Sequence, residues 1–455
     1  MPEDGDPVTS RRTVLKGSGA ALTAGATGLA GCLGFGGGGG GGSSAQPVNE
    51  DSLTVWHAMG GGLGETLNDL GSQFEEETGI SISMEFQDSY ENVLTNFLGA
   101  LDSGEVPDFA QIDSLFAKQV LDTEAVEPVE EIISDDFPTD DFLDNVTDFF
   151  QVDGTLASLP FNNSNAIMYY NRTAFEEAGL DPDSPPQTLQ EVREYSQALV
   201  DEGATEYGIT WPNHVWFVEH WYSMDGQLLF DAENGHGDDP TTLRTDNETA
   251  RGLYEWWRGM AEDGLYSNPG IEAWGEATST FLTQTAGMLL TSTAFVAGAQ
   301  EGAQDEGFEI DNGFYPGVSD KQVGPVIGGA SFFVPDGLPD DRREDIAAFL
   351  EFMASPEAQV QWHKGTGYYP IRQEAVSQLE SDGWFEENPM FRTAMDQLTE
   401  SDTSNPATRR MLVGPARQAQ TTIQDTSVEL FNGDVSIDEG LQSMKSDVEE
   451  ELERY

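Results

Sequence analysis

Cys32 is the only cysteine of the 455-residue chain, and it closes the segment Leu29-Ala30-Gly31-Cys32. A box of small residues ending on a thiol is the pattern that presents cysteine for lipid transfer. The paired arginines of Ser10-Arg11-Arg12-Thr13-Val14-Leu15-Lys16 upstream read as the start of a twin-arginine export signal. Between them, Gly17 to Leu29 is long enough for a signal h-region and too short and too weakly apolar to span a bilayer. The expected mature chain starts at Cys32, tethered to the outer face of a membrane by acyl chains.

Other chemistry-bearing groups are more scattered. Gly60-Gly61-Gly62-Leu63-Gly64 resembles a phosphate cradle at a helix start but lacks the Gly-Lys-Ser/Thr ending of a P-loop, so a tight turn is expected. Gly235-His236-Gly237-Asp238-Asp239 has no second histidine at metal-ligand spacing and reads as a solvated loop. No His-Glu-x-x-His or Gly-x-Ser-x-Gly motif and no metal-ligand cluster accompanies the five histidines, which weighs against a secreted hydrolase. Paired carboxylates such as Glu91 and Asp113 leave a glycosidase pair open, because acids are everywhere in this chain. Asn145, Asn162, Asn171 and Asn247 stand in glycosylation triplets.

The elements that must position these groups alternate between strand and helix. Ser52 to Met59 and Ile80 to Phe86 read as strands, Leu63 to Thr78 as a helix with Leu67, Leu70 and Phe74 on one face. Tyr90 to Ser103 reads as a helix and Phe109 to Asp113 as a third strand, a βαβαβ opening with loops at the carboxyl ends of its strands. Further on, Leu189 to Leu199, Ala250 to Glu262, Asp345 to Met353 and Pro356 to His363 read as helices. Ala286 to Leu290 and Ala330 to Val334 read as strands, and Phe314 to Gly328 as a loop.

Composition bounds the rest. The chain carries 82 acidic against 20 basic side chains, a net charge of -62. Self-repulsion of that size opposes compaction unless molar salt cuts the Debye length to about 3 Å. An exported protein of a halophile is expected, with nucleic acid excluded as a partner. Gly36 to Ser44 is a flexible coil that lets a folded body swing near the membrane.

A resemblance runs through Trp56-His57-Ala58-Met59, Leu159-Pro160-Phe161-Asn162-Asn163-Ser164, Tyr169-Tyr170-Asn171, Ala174-Phe175-Glu176-Glu177-Ala178-Gly179-Leu180-Asp181-Pro182, Gly328-Gly329-Ala330-Ser331 and Trp362-His363-Lys364-Gly365-Thr366-Gly367-Tyr368-Tyr369-Pro370-Ile371. These strings resemble the extracellular solute-binding proteins of ABC importers, and among them those that bind glycerol 3-phosphate. The resemblance implies an α/β fold of the two-lobe periplasmic-binding-protein kind (type II). Each lobe would be a mostly parallel sheet flanked by helices, with a ligand cleft between lobes. It divides the chain into a signal over 1–32, a Gly/Ser-rich linker over 33–50, one lobe from 51–115 and 286–330, and a second from 116–285 and 331–455. Two lobes closing on a hinge bury a ligand and present a new surface to a partner.

The same resemblance implies a binding protein, not an enzyme, that takes a small solute, needs no cofactor or metal, works as a monomer and hands its solute to the transmembrane subunits of a permease. It implies ligand contacts from Tyr90, Ser164, Ser292 (or Thr293), the backbone N–H of Gly329, Tyr368, Trp216 (or Trp211) and Arg410 (or Arg409). Arg410, in Ala407-Thr408-Arg409-Arg410-Met411, has a planar fork that can grip two phosphate oxygens. Where the glycerol 3-phosphate binders carry a glutamate for the glycerol hydroxyls, this chain has Ser114, with Asp113 one position earlier. That departure leaves a sugar or a glycerophosphodiester open as the ligand.

Overall fold

The computed structural model describes residues 45–455 apart from Asp153. The export signal, Cys32 and the glycine run lie outside the described residues. Two mixed sheets with helices on their faces carry the fold. In the first, the order is Ile82–Phe86, Leu53–His57, Phe109–Asp113, Gly328–Pro335, Val126–Glu127, with Leu159–Ser164 also paired to Gly328–Pro335. In the second it is Tyr266–Ser267, Tyr207–Thr210, Ala286–Ser292, Ala166–Asn171, Ile310–Gly313.

Local chemistry explains why the opening elements sit where the pattern places them. Ser89 accepts a hydrogen bond from the Asn92 N–H and starts the helix Tyr90–Ser103, and Gly104, left-handed at φ 79°, stops it. Val93 and Phe97 are buried on its inner face. The helix Gly61–Thr78 buries Leu67, Leu70 and Phe74 in the same way.

Two expectations need correction. The strand Ala286–Ser292 does not join the first lobe: it pairs with Ala166–Asn171 and Tyr207–Thr210 in the second sheet. The strand Gly328–Pro335, most of which was expected in the second lobe, runs antiparallel to Phe109–Asp113 in the first. Strand partners are chosen by registers formed across distant parts of the chain, which a boundary drawn along the sequence cannot express. For the same reason the first sheet is mixed, not mostly parallel: Leu53–His57 has parallel neighbours, whereas Gly328–Pro335 is antiparallel to every strand it touches.

The topology brings the carboxyl ends of Leu53–His57, Phe109–Asp113 and Leu159–Ser164, with the start of Gly328–Pro335, to one edge of the first sheet. The end of Ala286–Ser292 lies opposite the start of Ala166–Asn171 on the second sheet, with Ala166 across from Ser292. Asn165 alone separates the last strand residue of one sheet from the first of the other. Carboxyl-end edges are where open α/β sheets leave a crevice. Among the described residues, no helix is long and apolar enough to cross a membrane.

Candidate ligand-binding cleft

A cavity of about 590 Å³ opens along these edges. Of the residues for which the sequence reading expects a ligand contact, Tyr90, Asp113, Ser164, Trp216, Ser292, Gly329, Tyr368 and Arg410 line it. Ser114 does not. Asp113 caps a tight turn at Ser114–Phe116 by accepting from the Leu115 N–H, and the turn carries Ser114 inward. There, fully buried, Ser114 donates to the Gly329 carbonyl at 3.0 Å and accepts from Arg410 Nη1. It braces the site from behind and does not face the cavity.

Of the alternatives held open by the sequence, one member of each pair lines the cavity. Ser292 faces the cavity, while Thr293 is fully buried beneath it. Trp211 is a core residue, packed on Trp221, Trp257 and Tyr266, whereas Trp216 lines the cleft. Arg409 turns away toward Glu233. Gly60, Gly61 and Gly62 stay off the cavity wall, although Met59 and Leu63 on either side are part of it.

Arg410 is the only arginine or lysine among the lining residues. Its Nη1 donates to Asp113 Oδ1 at 2.9 Å, and its Nε lies 3.4 Å from Glu219 Oε2. Nη2 has no hydrogen-bond partner among the described residues. Burial pushes both carboxylic acids up from their ordinary range, and the arginine between them pulls them back. The backbone is held as firmly as the head group. Met411 N–H donates to Glu219 Oε1 at 2.8 Å, and His236 Nε2 bonds the Arg410 carbonyl at 2.9 Å. Asn234 Nδ2 donates to the Arg409 carbonyl at 2.9 Å, and the Leu412 N–H donates to the Asn234 carbonyl at 2.8 Å.

That clamp is a left-handed turn. Ala232, Glu233 and Asn234 have φ of 50°, 57° and 59°, and Gly235 follows at 90°. A side chain at Gly235 would meet the Leu412 carbonyl oxygen at 2.0 Å, so only glycine lets the two segments approach. His236, expected in a solvated loop, is therefore a support of the arginine. Among the described residues no group of histidines, cysteines and acids could hold a metal ion.

The tyrosine end is built differently. The Ala58 N–H donates to Gln111 Oε1 at 2.8 Å, Gln111 Nε2 to Asn162 Oδ1 at 2.7 Å, and Asn162 Nδ2 to the Tyr90 hydroxyl at 2.8 Å. Burial holds the hydroxyl protons of Tyr90 and Tyr368 on well past neutral pH. Tyr368 is fixed by a parallel stack on Trp362, ring centres 5.5 Å apart, which itself stacks on Phe161.

Gly329 ties both ends together. Its φ is 91°, and a Cβ there would meet the Asn162 carbonyl oxygen at 1.8 Å. Gly329→Ala is expected to cost roughly 2 to 4 kcal/mol from backbone strain and a displaced strand. Thermal unfolding in molar salt measures it, and an unchanged midpoint would contradict the close approach.

Several cleft residues escape the sequence reading. Glu91, noted only as half of a carboxylate pair, and Glu272 line the mouth, where Arg417 Nη1 reaches both at 2.8 and 3.8 Å. His214 caps the helix Val215–Met224, and burial with two nearby arginines lowers its pKa to about 3. Trp274 and Phe116 add aromatic wall. The one signal available was Glu219 and His220 inside the apolar run Val215-Trp216-Phe217-Val218-Glu219-His220-Trp221. A charge on a wholly buried helix needs a partner. Of the glycosylation triplets, Asn162 and Asn171 are fully buried, and Asn171 caps a helix.

Comparison with known proteins agrees with this architecture. Residues 69–393 match the model of a family described as bacterial extracellular solute-binding proteins. The chain is 28% identical over 424 residues to the sn-glycerol-3-phosphate-binding periplasmic protein UgpB of Pectobacterium atrosepticum, covering 91% of this chain and 93% of that one. It is 26% identical over 400 residues to the UgpB of Yersinia pseudotuberculosis, covering 86% and 90%. Among solved structures, Mycobacterium tuberculosis UgpB in complex with glycerophosphocholine superposes with a TM-score of 0.75 at 19% identity, covering 89% of this chain and 98% of that one. The GacH receptor of Streptomyces glaucescens, solved unliganded and with acarbose, superposes with a TM-score of 0.74 at 17% identity, covering 90% and 99%.

Proposed function

Since the chain belongs to the bacterial extracellular solute-binding protein family, whose members deliver small molecules to ABC permeases, we propose that its solute is a glycerol phosphate ester, with glycerol 3-phosphate the first candidate. The observation that carries this reading is Arg410, the one arginine or lysine on the cavity wall, buried, braced on both sides and with no partner for Nη2 among the described residues. A guanidinium so placed can receive phosphate oxygens. The free oxygen of Asp113 and the hydroxyls of Tyr90, Ser164, Ser292 and Tyr368 suit the glycerol end. Relatives named for binding glycerol 3-phosphate support the choice.

A second reading has its own support. Trp216, Trp274 and Phe116 offer flat apolar wall, and the acids Asp88, Glu91, Asp113 and Glu272 outnumber the single arginine. Such a wall suits a neutral sugar as well. Calorimetric titration of the body in molar salt with glycerol 3-phosphate, glycerophosphocholine and maltose separates the two. Saturable one-to-one binding of a phosphate ester at micromolar affinity or better is expected. A response to maltose alone would keep the receptor and discard the phosphate.

The export signal and Cys32 support a lipid-anchored receptor on the outer face of the cell membrane, and the charge of -62 supports a molar-salt environment. Cys32→Ser is expected to move the protein from the membrane fraction to the medium, read by immunoblot. Retention on the membrane would exclude the anchor.

A further inference from the structure

Glu219 has no part in gripping a ligand, yet it sits on the arginine that does. Its side chain is 2% exposed, on a helix with every residue buried. Asp113, on the other lobe, reaches the same guanidinium. One positive charge thus faces two carboxylates, and the cleft wall adds Asp88, Glu91 and Glu272. Arg417, at the cleft mouth, is engaged with Glu91 and Glu272, and Arg409 turns toward Glu233. His214 and His220, which also face Arg410, have pKa values lowered to about 3 and stay neutral. His236, on the Arg410 carbonyl, is lowered to about 4 and is neutral too.

Resting on the phosphate reading above, we propose that Glu219 is a specificity-determining residue: behind Arg410, it offsets the arginine's charge so that the cleft holds phosphate esters with one negative charge more tightly than dianions. A monoester such as glycerol 3-phosphate loses its second proton near pH 6, whereas a diester keeps a single negative charge throughout the neutral range. Glu219 lies buried behind the arginine, so the second charge of a dianion meets it across protein, where salt screens less than at a surface. A monoanion leaves Arg410 enough attraction to hold it. A charge-neutral variant that keeps the acceptor for the Met411 N–H separates this role from support of the backbone.

The test is the affinity ratio of glycerol 3-phosphate to glycerophosphocholine, titrated in molar salt between pH 5.5 and 8. The diester has no proton of its own to lose in this range, so its binding reports how changes in protein charge act on a fixed monoanion. In the wild type the ratio should favour the monoester roughly tenfold more at pH 5.5 than at pH 8. Glu219→Gln should raise the ratio at pH 8 by about the same factor and flatten its pH dependence. A wild-type ratio that does not change with pH overturns the charge filter, whether or not the variant folds. A folded variant with an unchanged ratio at pH 8 overturns it too. Silence of the folded wild type toward both esters overturns the phosphate reading itself, and the filter with it.

Discussion

Arg410→Ala is expected to weaken phosphate-ester binding by about 2 to 4 kcal/mol, the loss of a charged contact on the ligand. It is expected to lower stability by about 3 to 5 kcal/mol as well, because Asp113 and Glu219 are left facing each other without their cation. The two effects can be told apart. Arg410→Met combined with Glu219→Gln removes the grip and one of the stranded charges, so stability should recover in part while binding does not. Titration calorimetry and urea unfolding in molar salt measure the pair. Unchanged affinity in the single variant would remove Arg410 from the site, and unchanged stability would mean that the carboxylates find water once the arginine is gone.

Acid should unfold this protein steeply, and the histidines are the reason. Burial lowers all five: His214 and His220 to about 3, His57, His236 and His363 to about 4. In the unfolded chain each takes a proton near pH 6.5. Between pH 6.5 and about 4 the unfolded state therefore binds more protons than the folded state, and stability falls as pH falls. The limiting slope is roughly 1.4 kcal/mol per pH unit for each histidine. Asp113 and Glu219, whose pKa values are raised, take their protons first in the folded state and oppose the trend. Neutralising surface acids also relieves repulsion, but molar salt has already screened most of that. Urea midpoints should be flat from pH 8 to 7 and drop progressively from pH 6 to 4.5. Midpoints unchanged down to pH 5 would mean that the buried imidazoles reach solvent.

Elements specified by neighbouring residues are legible in the sequence. The helix Tyr90–Ser103 and the strand Phe109–Asp113 keep the bounds that pattern alone assigns, because Ser89 and Gly104 act within one turn. What depends on distant parts of the chain is not legible. The strand Ala286–Ser292 is plain as a strand, but its partners lie about 80 and 120 residues earlier, and only their registers decide its lobe. The cleft divides along the same line. Arg410, Tyr90 and Tyr368 can be carried over by family likeness, one residue at a time. Glu219 and His236 act through backbone and guanidinium groups 192 and 174 residues away, a pairing visible only in the folded protein. Ser114 shows the opposite error: a position correctly placed beside the site, with its hydroxyl turned inward by a capped turn.

The row of hydrogen bonds from Ala58 to Tyr90 has a direction, and its origin fixes it. A backbone N–H can only donate, so the Gln111 amide must present its oxygen to Ala58 and its nitrogen to Asn162, and Asn162 must repeat that orientation. The Tyr90 oxygen ends the row as an acceptor, which leaves its own proton to be given to the neighbouring Tyr368 hydroxyl or to a solute. The two amides behind the tyrosine end of the cleft are thus held one way round by a peptide group that no side-chain rotation can reverse, and the Tyr90 hydroxyl is the member of the row whose proton can still turn. A solute oxygen can take that proton without disturbing the amides. A solute that brings a donor instead meets the remaining acceptor position of the same hydroxyl, and the row of amides stays as it is.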